Sequence, residues 1–266
     1  FLSVPTPSNS DGSINLSYVE DALQEISEIT AEIEQEISPV PTDLDNIVLI
    51  RSTVTPGTTK KLQEKYQNLR LVFNPEFLTE RSANFDFINQ TRYILGGDKK
   101  YTNKVADLYR WRFGDTIPVI ETNYQTAELI KYMNNCFFAT KVSFLNEMKQ
   151  VSDRCEADWD MAVEGFIRDG RIGHSHMSVP GPDGKFGFGG KCFPKDVSAM
   201  ISFGNKLGLN MHTLSGVWNT NCEVRPEKDW EDNDTGVAWV KEERKFTLKD
   251  VEMIQEAVRQ HESDKE

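Results

Sequence analysis

Nowhere in this chain do about eighteen apolar residues run together, so no stretch is long enough for a membrane-spanning helix. No basic segment followed by an apolar one marks a signal peptide. Clustered cations are wanting as well: 30 Lys and Arg stand against 42 Asp and Glu, a formal charge of -12. That balance excludes a nucleic-acid surface and disfavours an anionic membrane, because neutralising phosphates takes grouped lysines and arginines. Histidine is scarce, at four, and the four cysteines (Cys136, Cys155, Cys192, Cys222) show no C-x-x-C pairing, so no metal site is expected. The cysteines read as thiols of a reducing compartment, and a cytoplasmic location is the expectation. There is no internal repeat, no low-complexity tract and no G-x-G-x-x-G turn.

What remains is globular in composition, 38% hydrophobic and 10% aromatic over 266 residues, enough for one large or two smaller domains. The chain opens on Phe1 with FLSV, an apolar run that reads as the end of a strand, and the expectation is that a segment upstream has been removed. After a polar turn, Val19, Leu23, Ile26, Ile29 or Thr30, Ile33 and Ile37 recur every three to four residues, which predicts a helix over about 17–37. Ser17 and Glu20 have the spacing of a capping box, and the helix's many glutamates read as a solvated face.

Three short apolar segments follow, NIVLIRSTV (46–54), LRLVFNPEF (69–77) and RYILGG (92–97), with DTIPVIET (115–122) as a fourth. Helical stretches at about 57–67 and 99–113 lie between them. Strands alternating with helices predict a mostly parallel α/β sheet. From Gln125 some thirty residues without Gly or Pro predict one long, mostly buried helix, followed by helices near 158–169, 194–207 and 212–222. The expected organisation is an α/β domain over 1–122, an all-α domain over 123–222, and a polar tail over 223–266 with a short helix in TLKDVEMIQEAVRQ.

Chemistry concentrates in PGPDGKFGFGGKCFPKD. Five glycines between Gly181 and Gly190 imply a backbone wrapped closely around something, or a flexible surface loop. Cys192 closes that loop at the start of a predicted helix, where the amide ends and the flanking Lys191 and Lys195 would favour a thiolate. An inert core thiol is the competing reading. Lys131 and Asn135, four apart in the long helix, share a face and need partners if buried. Glu76 and Glu80 in NPEFLTE, and Thr53 in RSTV, follow predicted strands, where α/β sheets bind ligands.

These stretches, with FLSVPTP, DGSINLSYVEDAL, AELIKYMNNCFFATKVSFLNE, DGRIGHSHMSVPGPDG and NTNCEVRPEKDW, resemble in order and spacing the nucleotide-sugar dehydrogenases of the UDP-glucose/GDP-mannose dehydrogenase family. The likeness runs from Phe1 to about Val240 and leans toward members that act on UDP-glucose. It implies the later half of a Rossmann-type NAD-binding domain and a helical dimerisation domain. It also implies oxidation of the C6 alcohol of UDP-glucose to a carboxylate, with NAD taking two hydrides. By residue-wise matching Cys192 resembles the family's nucleophile, and Lys131 and Asn135 the stabilisers of the developing oxyanion. Asp196 and Thr53 match holders of an ordered water, and Glu80 the carboxylate of thioester hydrolysis. Glu76, Phe77, Leu78, Thr79, Phe188 and Gly189 resemble the substrate cradle, and Arg171 the arginine that reaches the neighbouring subunit's substrate in a homodimer. Pro5, Thr6, Thr53, Glu80, Cys192 and Lys195 remain of the implied NAD contacts. Without the opening G-x-G-x-x-G segment and the closing UDP-binding domain, the expectation is a fragment or decayed copy that binds NAD weakly or not at all. The alternatives are a relative acting on GDP-mannose or a UDP-N-acetylhexosamine, and a non-catalytic dimerisation or sugar-nucleotide-binding module.

Overall fold

The computed structural model describes residues 1–36, 46–78 and 82–231. The expected helix near 247–260 and the residues Thr79 and Glu80 lie outside them.

A four-stranded sheet in the order β1 (Ile47–Ile50), β2 (Arg70–Phe73), β3 (Tyr93–Gly96), β4 (Val119–Thr122) organises the first half. β1, β2 and β3 are buried on both faces, which is why they read as apolar runs, whereas the edge strand β4 (VIET) is partly exposed. Val48, Ile50, Leu71, Phe73 and Ile94 point to one side, where α1 (Ser17–Glu36), α2 (Thr58–Lys65) and α5 (Tyr124–Arg154) cover them through Val19, Leu23, Leu62 and Ala127. Leu49, Val72, Tyr93 and Leu95 point to the other, against Val105, Ala106 and Tyr109 of α4 (Lys99–Phe113). FLSV extends the sheet at the β1 edge: Leu2 N donates to Leu49 O at 2.7 Å and Arg51 N to Leu2 O at 2.9 Å, in a parallel bridge.

Several expectations need correction. The sheet is mostly parallel, as expected, in β1/β2, β3/β4 and the Leu2 bridge, but against expectation β2 and β3 meet antiparallel at Phe73 and Gly96. A parallel pair needs a full crossover. The β2–β3 connection instead spends its residues on the NPEF loop and the six-residue α3 (Ala83–Ile88), an unexpected helix with no buried residue, and the chain doubles back. Asn74 secures that reversal, donating to Ile94 O at 2.9 Å and accepting from Tyr109 Oη and Arg51 Nη1. The capping box does not form: Asn15 Oδ1 takes the Ser17 amide, and Glu20 pairs with Lys65 at 2.5 Å. Thr30, not Ile29, faces the core, and Ile29 and Ile33 are exposed.

The second half is helical. α5 starts on Asn123, whose Oδ1 accepts from Thr126 N, and its 31 residues span roughly 46 Å at 1.5 Å per residue. It is not mostly buried: Leu129, Met133, Phe137, Phe144, Met148 and Val151 form an exposed stripe along one side. The opposite side packs Tyr132, Cys136 and Ala139 against α7 (Phe193–Lys206) and α8 (His212–Val224). α6 (Trp159–Ile167) lies near its far end, and the described part of the tail, up to Glu231, holds a 3-10 turn, Asp229–Glu231, which buries Trp230.

Candidate active site

Three segments converge: the loop after β2, the first turns of α5, and the start of α7. Lys131 of α5 is buried at 5% exposure, and its ammonium donates to the backbone carbonyl of Glu76 and lies 3.5 Å from that residue's carboxylate. The other Glu76 oxygen accepts from Leu78 N at 2.6 Å, so one lysine and one glutamate set the course of the loop through Phe77 and Leu78. One turn along α5, Asn135 donates to Asp196 Oδ2 at 2.5 Å, and Lys195 donates to Asp196 Oδ1 at 2.5 Å. A buried carboxylate with a partner on each oxygen satisfies the rule that buried charge must be paired.

Cys192 is the N-cap of α7, one turn before Asp196, whose amide donates to the Cys192 carbonyl at 2.9 Å. The residue is exposed at the surface, yet the protein around its sulfur desolvates it enough to push the thiol pKa up. Asp196 adds to the rise, while Lys195 and Lys131 oppose it and Glu76 reinforces it. Lys195 favours the thiolate as expected, but burial and Asp196 outweigh it, and the two nearby lysines are also engaged elsewhere, Lys195 with Asp196 and Lys131 with Glu76. Asp196→Asn removes one cause of the rise and frees Lys195, so the pH midpoint of Cys192 alkylation by iodoacetamide should move down. An unmoved midpoint would assign the whole shift to burial.

The glycine loop is pinned from behind. Gly187, at φ 68°, donates to Asn146 Oδ1 at 3.0 Å, and a Cβ there would lie 2.4 Å from Asn221 Oδ1. Asn221, fully buried on α8, accepts from Phe188 N at 2.7 Å and donates to Phe188 O at 2.9 Å. Gly189 runs against Arg225, where a Cβ would meet the guanidinium carbon at 2.6 Å. Arg225, 2% exposed, donates to Asp229 through Nε (2.9 Å) and Nη2 (2.6 Å), to Asp183 Oδ2 at 2.7 Å and to Phe186 O at 3.2 Å. Lys185 closes the chain of charges onto Asp229 and Glu227. Sequence reasoning passed over Asn146, Asn221 and Arg225. Asparagine in a helix interior was the available signal, since it disfavours helices unless its amide has other work.

Beside this cluster lie the strand-end loops. Ser52 Oγ accepts from Val4 N at 2.9 Å and donates to Val4 O at 2.7 Å, which holds Pro5 and the buried Thr6 alongside the half-buried Thr53. Glu128 of α5 accepts the amides of Gly57 and Thr59 at 2.6 and 2.8 Å and so ties α2 to α5; burial raises its pKa against those bonds. Arg171 does not join the cluster within this chain. It pairs with Asp169 and lines a depression with Phe137, Lys141, Phe144 and Phe166 on the outer side of α5.

A model of the UDP-glucose/GDP-mannose dehydrogenase family's NAD binding domain matches residues 1–112, and one of its central domain matches residues 125–223. A UDP-glucose 6-dehydrogenase of Bacillus subtilis is 32% identical over 230 residues, 83% of this chain and 48% of that protein. The structure of a UDP-glucose dehydrogenase from Pyrobaculum islandicum superposes with a TM-score of 0.69 at 33% identity, over 82% of this chain and 49% of that one. A GDP-mannose dehydrogenase from Pseudomonas aeruginosa gives 0.54 at 26%, over 83% and 50%. The chain spans about half the length of these proteins. An NAD binding domain followed by this helical central domain is the architecture of NAD-dependent nucleotide-sugar dehydrogenases. Within that class, the chain belongs to the UDP-glucose/GDP-mannose dehydrogenase family.

Proposed function

We propose that the protein oxidises the C6 alcohol of UDP-glucose to the carboxylate through covalent intermediates on Cys192. The observation that carries this reading is the grouping, in one short reach of space, of a thiol, a buried lysine and an Asn–Asp–Lys chain beside strand-end loops of an NAD-binding domain.

Pro5, Thr6 and Thr53, held side by side at the carboxyl ends of parallel strands, fit the nicotinamide end of the dinucleotide. No G-x-G-x-x-G turn is among the residues to cradle its pyrophosphate. Bound NAD supplies the hydride acceptor for both oxidations. Lys131 and Asn135 hold the C6 oxygen and stabilise the negative charge it gains as its proton passes to water held by Asp196 and Thr53; that electron pair then forms the C=O as hydride leaves C6. An aldehyde carbon has to become tetrahedral before a second hydride can leave. Cys192 Sγ therefore adds to C6, its proton going to the aldehyde oxygen, and a thiohemiacetal forms. Loss of the second hydride and of the hydroxyl proton gives a thioester, and water, directed by Glu80, splits the C–S bond to release the carboxylate and restore the thiol.

Two NADH per UDP-glucose consumed, with a mass adduct on the Cys192 peptide in acid-quenched samples, is the expected result. Turnover of GDP-mannose or UDP-N-acetylmannosamine in preference to UDP-glucose would replace the substrate assigned here. No turnover of any of the three by a folded protein would favour the non-catalytic module.

The exposed stripe of α5 points to a homodimer that buries Met133, Phe137 and Phe144. It would also turn Arg171, on the same side, toward the partner's substrate. Phe137→Glu is expected to convert a dimer to a monomer by light scattering coupled to size exclusion, whereas a monomeric wild-type protein would exclude the dimer.

A further inference from the structure

We propose that Arg92 is a positioning residue for the nucleotide-sugar site: it sets the height of the Phe77–Leu78 backbone over Lys131 and Asn135 without itself touching the reacting atoms. The inference rests on the substrate-cradle reading of that loop.

Among the described strands, β2 and β3 make the antiparallel step. Phe73 pairs with Gly96, and each residue onward from Phe73 is a residue backward from Gly96. The chain leaving Phe73 therefore runs back toward the start of β3, and Phe77 comes to lie against Arg92. Had β2 and β3 been parallel, the start of β3 would lie at the opposite edge of the sheet, far from the strand-end loops. The reversal brings it to the site.

Contacts follow that register. The Arg92 guanidinium carbon lies 4.6 Å from the Phe77 ring centroid, and Nη2 donates to Asn134 Oδ1 at 3.4 Å. Asn134 precedes Asn135 on α5. Lys131 Nζ is also over the Phe77 ring, at 5.4 Å, while it holds the Glu76 carbonyl. Phe77 is thus held by two cations, one from the residue before β3 and one from α5, and Arg92 bridges the loop to the helix that carries Lys131 and Asn135. A planar guanidinium lays its face on the ring while an edge N–H reaches a side-chain oxygen, a fixed fork that a point-charge ammonium does not reproduce. Arg92 is half-buried and belongs to neither hydrophobic core, so its removal should loosen the loop without unfolding the sheet.

Arg92→Ala is expected to raise the KM for UDP-glucose and its calorimetric Kd about tenfold, with kcat within about twofold and Tm unmoved. Arg92→Lys should recover little of the loss. In the cycle with Phe77→Leu, removing Arg92 should cost nothing further once the ring is gone. Chymotryptic cleavage after Phe77 should be faster in Arg92→Ala, a readout that needs no turnover. If the wild-type protein handles no nucleotide sugar, the functional reading fails and the cleavage rate still decides the role of Arg92. Additive losses in the cycle, a fall in kcat equal to the rise in KM, or unchanged cleavage would each overturn the proposal.

Discussion

Cys192→Ser is expected to fold normally and to lose about a thousandfold or more of UDP-glucose oxidation, with any residual turnover ending at one NADH per sugar instead of two. A serine hydroxyl is a weak nucleophile at neutral pH unless a base takes its proton. Asp196, one helical turn away, has both oxygens committed, Oδ2 to Asn135 and Oδ1 to Lys195. The tetrahedral adduct that makes the second hydride transferable therefore does not form at a useful rate, and the reaction halts at the aldehyde. Folding should not suffer, because position 192 is an exposed helix N-cap, where serine is among the preferred residues, so Tm should hold or rise slightly. A variant that keeps more than about a tenth of the wild-type rate, with two NADH per sugar, would remove Cys192 from the mechanism.

The α/β-then-α order was legible because each element carried its own period: α4 was expected at 99–113 and spans Lys99–Phe113. The direction of β3 was not. Strands buried on both faces look alike whether their neighbours run parallel or antiparallel, and the reversal depends on Asn74 and on a connection too short in helix for a crossover. For α5, apolar residues on every side suggested burial within the chain, whereas one of those sides is exposed and open to a second copy. The family motifs named Cys192, Lys131, Asn135 and Asp196, and they lie together. Their electrostatics were not legible, since the charge a lysine lends to a thiol depends on what else it binds. Lys195 and Lys131 flank the thiol in sequence or space but are spent on Asp196 and Glu76. Arg225 was hidden differently, in a stretch polar enough to read as loop.

Arg225→Ala is expected to lower stability by about 3 kcal/mol, roughly 6–12 °C in Tm for a chain of this size. Taking one partner from a buried ion pair ordinarily costs about 3–5 kcal/mol because the other charge is stranded. Here the lower end applies, since the Asp183 and Asp229 side chains are 42% and 32% exposed and can rehydrate. Part of the loss is packing: the guanidinium fills the space beside Gly189 that a Cβ would otherwise reach. The bond to Arg225 holds the Asp229 carboxyl below its ordinary value of 3.8, against the opposing effect of burial. For Asp183 burial raises the pKa, but the bonds to Arg225 and the Lys185 amide outweigh it and the net shift is also downward. Groups with depressed pKa lend stability that is complete above the unfolded value and disappears as pH falls through the folded one. The gap between wild type and Arg225→Ala should therefore be constant near neutrality and shrink once the pH drops below 3.8. Activity should fall further than stability alone predicts, because Phe186, Gly187, Phe188 and Gly189 reach Cys192 from a backbone that this arginine, with Asn146 and Asn221, keeps in place. Denaturant unfolding at several pH values and NADH production at 25 °C, well below either Tm, check the two effects separately. A pH-independent gap would show that Arg225 contributes packing and no charge pairing, and full activity at 25 °C would show that the glycine loop holds its shape without it.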